Sequence, residues 1–474
     1  MGEEIATSRF SSRDFDEFTN RLREETRLLK EWFADGKFEE AHPVGGFEVE
    51  AWLVDREGLP APINECFLER LDDPLVVPEL SRFNIELNTP PQVLAGPALS
   101  RMQADLERTM ARCDETAGSL DAQVATVGIL PTVRDRDLTV ANMSNQQRYR
   151  ALNDQVLRMR HGRPIRLDIQ GHERLQTEHR DVMLEAATTS FQIHAQVDPA
   201  MAVRYYNAAM VAAAPMVAAA ANSPFLFGRD LWDETRIPLF EQSVNTCDEA
   251  DSAHCPPPRV TFGDGYVKES LFEYFSENLG RFPILLPVHY DTPLECLSHL
   301  RLHNGTIWRW NRPLIGFADD QRPHLRIEHR VVPAGPSVCD AIANAALFFG
   351  LMHGFAAWGE PAIAFADARE NFYSAARHGL AAELRWRDGV RVSAQVLLLE
   401  NLIPVARQGL LDLGLDRNDV DAYMEIVNRR VASGRNGASW QRAYRARYGC
   451  SMSELTAVYL EYQRVGKPVH EWAI

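Results

Sequence analysis

Four short stretches of the chain alternate apolar and polar residues. They are Phe47-Glu48-Val49-Glu50-Ala51, Phe83-Asn84-Ile85-Glu86-Leu87-Asn88, Phe191-Gln192-Ile193-His194-Ala195-Gln196-Val197 and Leu325-Arg326-Ile327-Glu328-His329-Arg330-Val331. Period two is the signature of a strand, and it sends alternate side chains to opposite faces. Val49, Ile85, Leu87, Ile193, Val197, Leu325, Ile327 and Val331 are then expected to bury one face of a sheet. The other face carries Glu48, Glu50, Glu86, Glu328, His194, Arg326 and Arg330. So many carboxylates on one surface repel one another unless cations hold them together.

Between these strands the spacing turns helical. Residues 12–33 place Phe15, Phe18, Leu22, Leu28, Leu29 and Trp32 on one stripe. Residues 98–125 and 142–160 read as further helices, the first followed by a short strand over 124–130. A turn is expected at Asp55-Arg56-Glu57-Gly58. Residues 161–182 are rich in Gly, Arg and His with weak periodicity, and they read as a surface loop. The strand at 189–197 runs into a helix over 199–221, which Asn222-Ser223-Pro224 stops because a residue before proline disfavours helix. Cys255-Pro256-Pro257-Pro258 is a rigid extended segment inside a long connection. A hairpin is expected over 306–332, and beyond Gly335-Pro336 the pattern is almost wholly helical. Few βαβ alternations occur, so the fold class is α+β rather than doubly wound. Three regions follow: an N-terminal tail, loose over 1–10, and helix (1–40), a sheet-bearing region (41–360) and a helical C-terminal region packed on it (361–474). The weakly periodic segments 161–182 and 240–265 are candidates for a lid.

The chain has 474 residues and a formal charge of -16, which argues against a nucleic-acid surface. Its seven cysteines show no zinc spacing. The start, Met-Gly-Glu-Glu-Ile, lacks the regions of a signal peptide. The most apolar run, Ala208 to Ala221, is too short and alanine-rich for a membrane span and reads as a buried helix. These features imply reduced thiols, a cytoplasmic location and no membrane partner. They leave homo-oligomerisation open.

The chemistry on the polar face is that of a metal–nucleotide site. Magnesium takes hard oxygen ligands, and one or two carboxylates per ion suffice. Glu48 and Glu50 share a strand face, and Glu86 and Glu328 can complete the set. His194 can serve as a further ligand or as a contact to phosphate. Arg326 and Arg330 flank Glu328 and offer forks for carboxylate or phosphate oxygens. Phosphoryl transfer needs these parts. Taken singly, each has an ordinary explanation. A Glu-x-Glu is usually a solvated strand face, an Arg-x-Glu-x-Arg a cross-strand ion-pair set, and a lone histidine structural. A solvated face would mix in Lys, Thr and Ser, which these positions lack, so the combination favours a site. No P-loop, Rossmann fingerprint, GxSxG elbow or HExxH helix is present. Two other readings remain: a metal-dependent hydrolase acting without ATP, and a non-catalytic nucleotide or amino-acid sensor.

Gly46-Phe47-Glu48-Val49-Glu50, Glu86-Leu87-Asn88, Ser190-Phe191-Gln192-Ile193-His194-Ala195-Gln196, Ala221-Asn222-Ser223-Pro224-Phe225 and Arg326-Ile327-Glu328-His329-Arg330 together resemble the type 2 glutamate–cysteine ligases, also called carboxylate–amine ligases. The resemblance spans roughly residues 40–360. It implies a glutamine synthetase-like fold: a curved antiparallel sheet funnel with helices outside. It also implies an ATP- and Mg2+-dependent ligase that joins a carboxylate of glutamate to an amine, cysteine by default, both small-molecule substrates. By the same resemblance Glu48, Glu50, Glu86, Glu328 and His194 would be metal ligands. His194, Arg326 and Gln196 would face the nucleotide. Arg330 would stabilise the transferring phosphate beside Glu328, and Arg312 and Asn222 would contact substrate.

Overall fold

In the computed structural model the described residues are 4, 5, 7–40, 42–247, 255–359 and 361–474. The four alternating stretches fall in one eight-stranded sheet. Its strands are β1 (Val44–Val54), β2 (Val76–Pro78), β3 (Asn84–Asn88), β4 (Gln92–Val93), β5 (Gln123–Ala125), β6 (Phe191–Val197), β7 (Asn311–Phe317) and β8 (Pro323–His329). The order is β7-β8-β6-β1-β3-β2, with β4 and β5 pairing to β1, and every pairing is antiparallel. The long β1 is the hinge of this arrangement, because it pairs along its length with β3, β4, β5 and β6.

Four helices frame the sheet: α1 (Ser12–Ala34), α2 (Ala202–Ala220), α3 (Ser298–Gly305) and α4 (Val338–Ala357). Helix α1 starts at a capping box, in which the Ser11 hydroxyl accepts from the Asp14 amide and Asp14 accepts from the Ser11 amide. Its buried stripe is Phe18, Leu22, Leu29 and Trp32, with Phe15 and Leu28 only half-buried. Helices α2 and α4 cover the apolar face. Phe47 packs on Phe191 and Phe349, and Phe348 stacks on His329 at 4.0 Å. The approach is close: a side chain at Gly45 would meet the Phe349 ring at 2.8 Å. Among the described residues α4 is the one helix long and apolar enough to cross a bilayer, and most of that length is buried in the core. Ala208–Ala220 lies in α2 and is likewise buried.

Four expectations need correction. Residues 161–182 are not a loop, because Ile165–Gln170 and Arg174–His179 form an antiparallel hairpin. Its first strand buries Ile165, Leu167 and Ile169 and exposes Arg166, Asp168 and Gln170. That alternation was present in the sequence but was masked by the Gly- and Arg-rich flanks. The helical C-terminal region contains a second small hairpin, Glu383–Arg385 with Arg391–Ser393, held by the burial of Leu384. Not every cysteine is a free thiol: Cys247 and Cys255 form a disulfide, their Cα atoms 5.8 Å apart. The N-terminal tail is not wholly loose, because Ile5 is buried. Of the second lid candidate, 248–254 lie outside the described residues, whereas 240–243 belong to a helix, Arg236–Ser243.

Candidate active site

Strand register decides which polar side chains meet. Glu50 on β1 stands directly opposite Glu86 on β3. Glu328 on β8 stands opposite His194 on β6 and, on its other side, opposite Arg312 on β7. Arg326 faces Gln196 across the same pair of strands. One surface therefore carries a row of alternating charge on the β7–β8–β6 side and a like-charged pair on the β1–β3 side. Directly opposed like charges destabilise a sheet.

On the first side the charge of Glu328 is answered. Glu328 is buried, and its two oxygens accept from Arg312 Nη2 at 2.7 Å and Arg330 Nη1 at 2.8 Å. Burial opposes its ionisation, but the two guanidinium groups hold its carboxyl down at about 2. Arg330 Nη1 also donates to Gln192 Oε1 at 2.9 Å. Burial disfavours its charge, yet Glu328 and Glu50 keep it above the ordinary arginine value. Burial likewise opposes ionisation of Glu48, but His194 and Arg330 hold its carboxyl well below the usual range. His194 Nε2 lies 3.2 Å from Glu48 Oε1, off hydrogen-bond alignment. Among the described residues both His194 ring nitrogens are buried without a hydrogen-bond partner. Such an orphaned donor set is the mark of a group built to hold something else.

On the second side the carboxylates are crowded. Glu50, Glu79 and Glu86 place ligand oxygens within 4.8 Å of one another. Glu50 accepts from the Ser190 amide at 2.6 Å and from Gln192 Nε2 at 2.8 Å. Asn88 Nδ2 donates to Glu86 at 3.1 Å. Burial, then the charges of Glu48 and Glu79, push Glu86 up to about 8. Burial raises Glu50 and Glu79 too, and Glu185 lies well above the ordinary value because burial, Glu79 and Glu50 all act on it. Three hard oxygen donors that cannot all ionise together fit a divalent cation, which would replace the protons. The sign of the pH effect follows. A carboxyl raised in the fold keeps its stability below its unfolded pKa and loses it as pH climbs through the folded value. The chelated protein is therefore expected to lose thermal stability between about pH 4.5 and 8. Mg2+ should flatten that loss, as should Glu86→Gln. Melting curves with EDTA or Mg2+ across this range check it, and a chelated protein as stable at pH 8 as at pH 5 would contradict it.

A cavity of about 420 Å3 opens on this face. That volume suits a small-molecule ligand. Glu48, Glu79, His194, Arg312, Arg326 and Glu328 line its polar side, and Phe275, Leu286, Leu300, Trp308 and Leu314 its apolar side. Glu50, Glu86 and Arg330 are buried off its wall. Gln196 sits half-buried beside Arg326. Asn222 does not join the group. It is fully buried, its Nδ2 donates to Ala334 O and Tyr459 Oη, and its Oδ1 accepts from Gln441 Nε2. Its amide donates to Glu234, which pairs with the buried Arg236. With its hydrogen bonds spent on the fold, Asn222 ties the C-terminal helices to the segment after β8. Glu79 and Glu185 were missed from sequence. Glu79 follows Pro78 at a strand end and has no alternating partner, and Glu185 sits in a one-turn helix.

The chain matches the model of glutamate-cysteine ligase family 2 (GCS2) over residues 44–460. The protein belongs to that family. It is thereby a carbon–nitrogen ligase, one of the ATP-dependent carboxylate–amine ligases. No curated protein sequence matches it. Among solved structures it is similar to the glutamate–cysteine ligase of Francisella tularensis, determined in complex with AMP. The identity is 12% over 90% of this chain and 89% of that one, with a TM-score of 0.59. It is also similar to a bifunctional glutathione synthetase from Pasteurella multocida, at 11% identity and a TM-score of 0.51. There it covers 93% of this chain and 54% of the other, so it spans about half of that enzyme. At such identities the likeness carries the fold alone. That fold is the glutamine synthetase-like one, a curled antiparallel sheet with helices outside, as the family resemblance implied.

Proposed function

We propose that this ligase joins the γ-carboxylate of glutamate to an amine, cysteine by default, with ATP consumed through an acyl phosphate. The observation that carries this is the shared face: Arg312, Glu328 and Arg330 interlock beside three crowded glutamates at the edge of one cavity. Glu50, Glu79 and Glu86 would hold one Mg2+, and Glu48, Glu328 and His194 a second. Mg2+ bound there would neutralise phosphate oxygens. The apolar wall of Phe275, Leu300 and Trp308 offers a surface for the base, and Arg326, His194 and Gln196 face the phosphates. Arg312 is placed to orient a carboxylate. The substrate carboxylate attacks the γ-phosphorus and ADP leaves, with Arg330 stabilising the charge that develops; the amine then attacks the acyl carbon, losing a proton as phosphate departs. The chain contributes positioning and charge. We assign catalysis to residues 41–360, with the N-terminal tail and helix of 1–40 ahead of that region and the helical 361–474 packed on it, and place the protein in the cytoplasm, where ATP is supplied.

ADP release in Mg2+, followed over a panel of amino acids offered as acid and as amine, tests the proposal. Release is expected to require both an acid and an amine, with glutamate and cysteine the fastest pair. Hydrolysis without ATP would favour a metal-dependent hydrolase instead. Binding without turnover would favour a sensor.

A further inference from the structure

Helix α1 lies ahead of the residues that the family model matches, yet one of its side chains reaches the wall of the cavity helix. Glu25 is fully buried, as is His299 at 1% exposure. Glu25 Oε1 lies 2.7 Å from His299 Nδ1, and Oε2 accepts from the Leu300 amide at 2.8 Å. His299 Nε2 accepts from the Tyr290 amide at 3.4 Å, which leaves Nδ1 as the N–H that donates to Glu25. Phe18 and Tyr290 close on the imidazole edge-on at 5.2 Å and 5.4 Å. A second tie runs alongside: Arg21 Nη2 donates to Thr292 O at 2.7 Å, and Thr292 Oγ1 meets Ser298 Oγ at 2.8 Å.

Helix α3 needs such help. The first amides of a helix have no intrahelical partner, and a short polar residue at the N-cap normally supplies one. Here the N-cap is Leu297, which makes no side-chain cap and sits at φ 50°, a left-handed conformation that a leucine rarely adopts. Glu25 provides the missing acceptor from another helix, with its negative charge at the positive end of the dipole. Helix α3 in turn builds the site. Ser298, Leu300, Arg301 and Asn304 line the cavity. Asn304 O and Gly305 O both accept from Arg312 Nη1, whose other nitrogen holds Glu328.

We propose that Glu25 is a positioning residue: from α1 it caps α3, and so sets the wall of the cavity against which nucleotide binds. This rests on the reading of that cavity as the nucleotide site. Glu25→Gln tests it in the full-length protein. The amide cannot accept from His299 Nδ1–H and from the Leu300 amide at once, so the histidine must change tautomer and oppose the Tyr290 amide. MgADP affinity by calorimetry and the KM for ATP are expected to weaken about tenfold, with kcat changed far less. His299→Asn, which keeps a donor towards Glu25, is expected to retain near-normal values. A general loss of fold would lower kcat and active fraction without this split. If Glu25→Gln fails to fold, Glu25→Asp, which keeps the charge but withdraws it by one methylene, is expected to show the same shift. A folded variant with unchanged MgADP affinity and KM overturns the proposal. Should the unaltered protein fail to bind MgADP, the nucleotide reading falls. Amide exchange over 298–305 then decides the clamp by itself: faster exchange in the variant supports it, and unchanged exchange overturns it.

Discussion

Arg330→Lys is expected to lower ADP release by about 10²–10³-fold while the protein remains folded. The reason lies in how the guanidinium is held. Its Nη1 donates both to Glu328 Oε1 and to Gln192 Oε1, and its Nε is buried without a partner among the described residues. A lysine keeps the charge that Glu328 and Glu50 demand, so the buried carboxylates are not left unanswered. It cannot keep the planar fork, and a point charge cannot span two oxygens of a transferring phosphoryl group. Arg330→Met would answer a different question, because removing one partner of a buried ion pair costs about 3–5 kcal/mol and would confound activity with folding. Single-turnover ADP release and melting temperature, measured on the same preparation, separate the two. Turnover within a few-fold of normal in Arg330→Lys would remove Arg330 from the phosphoryl-transfer step.

Glu79→Gln carries the second large effect, and it tests a residue that only the structure brings forward. If Glu50, Glu79 and Glu86 share one Mg2+, losing one carboxylate should raise the Mg2+ concentration needed for half-maximal ADP release by at least about tenfold. The stabilisation that Mg2+ gives to the melting temperature should shrink in parallel. The metal-free variant, in contrast, should be no less stable than the unaltered protein. It has lost one of three mutually repelling carboxylates, and burial and the charge of Glu50 push the Glu79 carboxyl above its ordinary value. Gain of apo stability with loss of metal dependence is a pair of signs that a merely structural glutamate would not produce. Glu57→Gln, an exposed turn position, serves as the control. A Glu79 variant with an unchanged Mg2+ titration would show that the cluster binds no metal in the reaction.

Particular residues show where sequence reading stops. Glu48, Glu50, Glu86 and Glu328 could be placed on one face because each sits in a strand whose apolar neighbours alternate over several residues. The same rule should have found the hairpin at 165–179, where Ile165, Leu167 and Ile169 alternate as regularly. Flanking composition outweighed the pattern there. Asn222 lay next to a helix-stopping proline and within a family-like segment, and both facts are true of a residue that ties helices together. Its partners, Ala334, Tyr459 and Gln441, lie more than a hundred residues away. Glu25 was invisible as anything but a break in a buried stripe, because its partners on α3 lie 274 and 275 positions further along.

Period two is a property of neighbours in the chain, so the amino-acid sequence alone decided that the strands exist, which side of each is apolar, and that acids, one histidine and two arginines share the other side. Register, strand order and the burial of each charge arise from contacts between segments far apart in the chain. Only the folded molecule therefore decided that Glu328 is clamped between Arg312 and Arg330, that Glu79 completes the acidic trio, and that Asn222 serves the scaffold. The same spatial proximity sets the proton affinities, because a charge responds to whatever lies within a few ångströms of it, however distant in sequence.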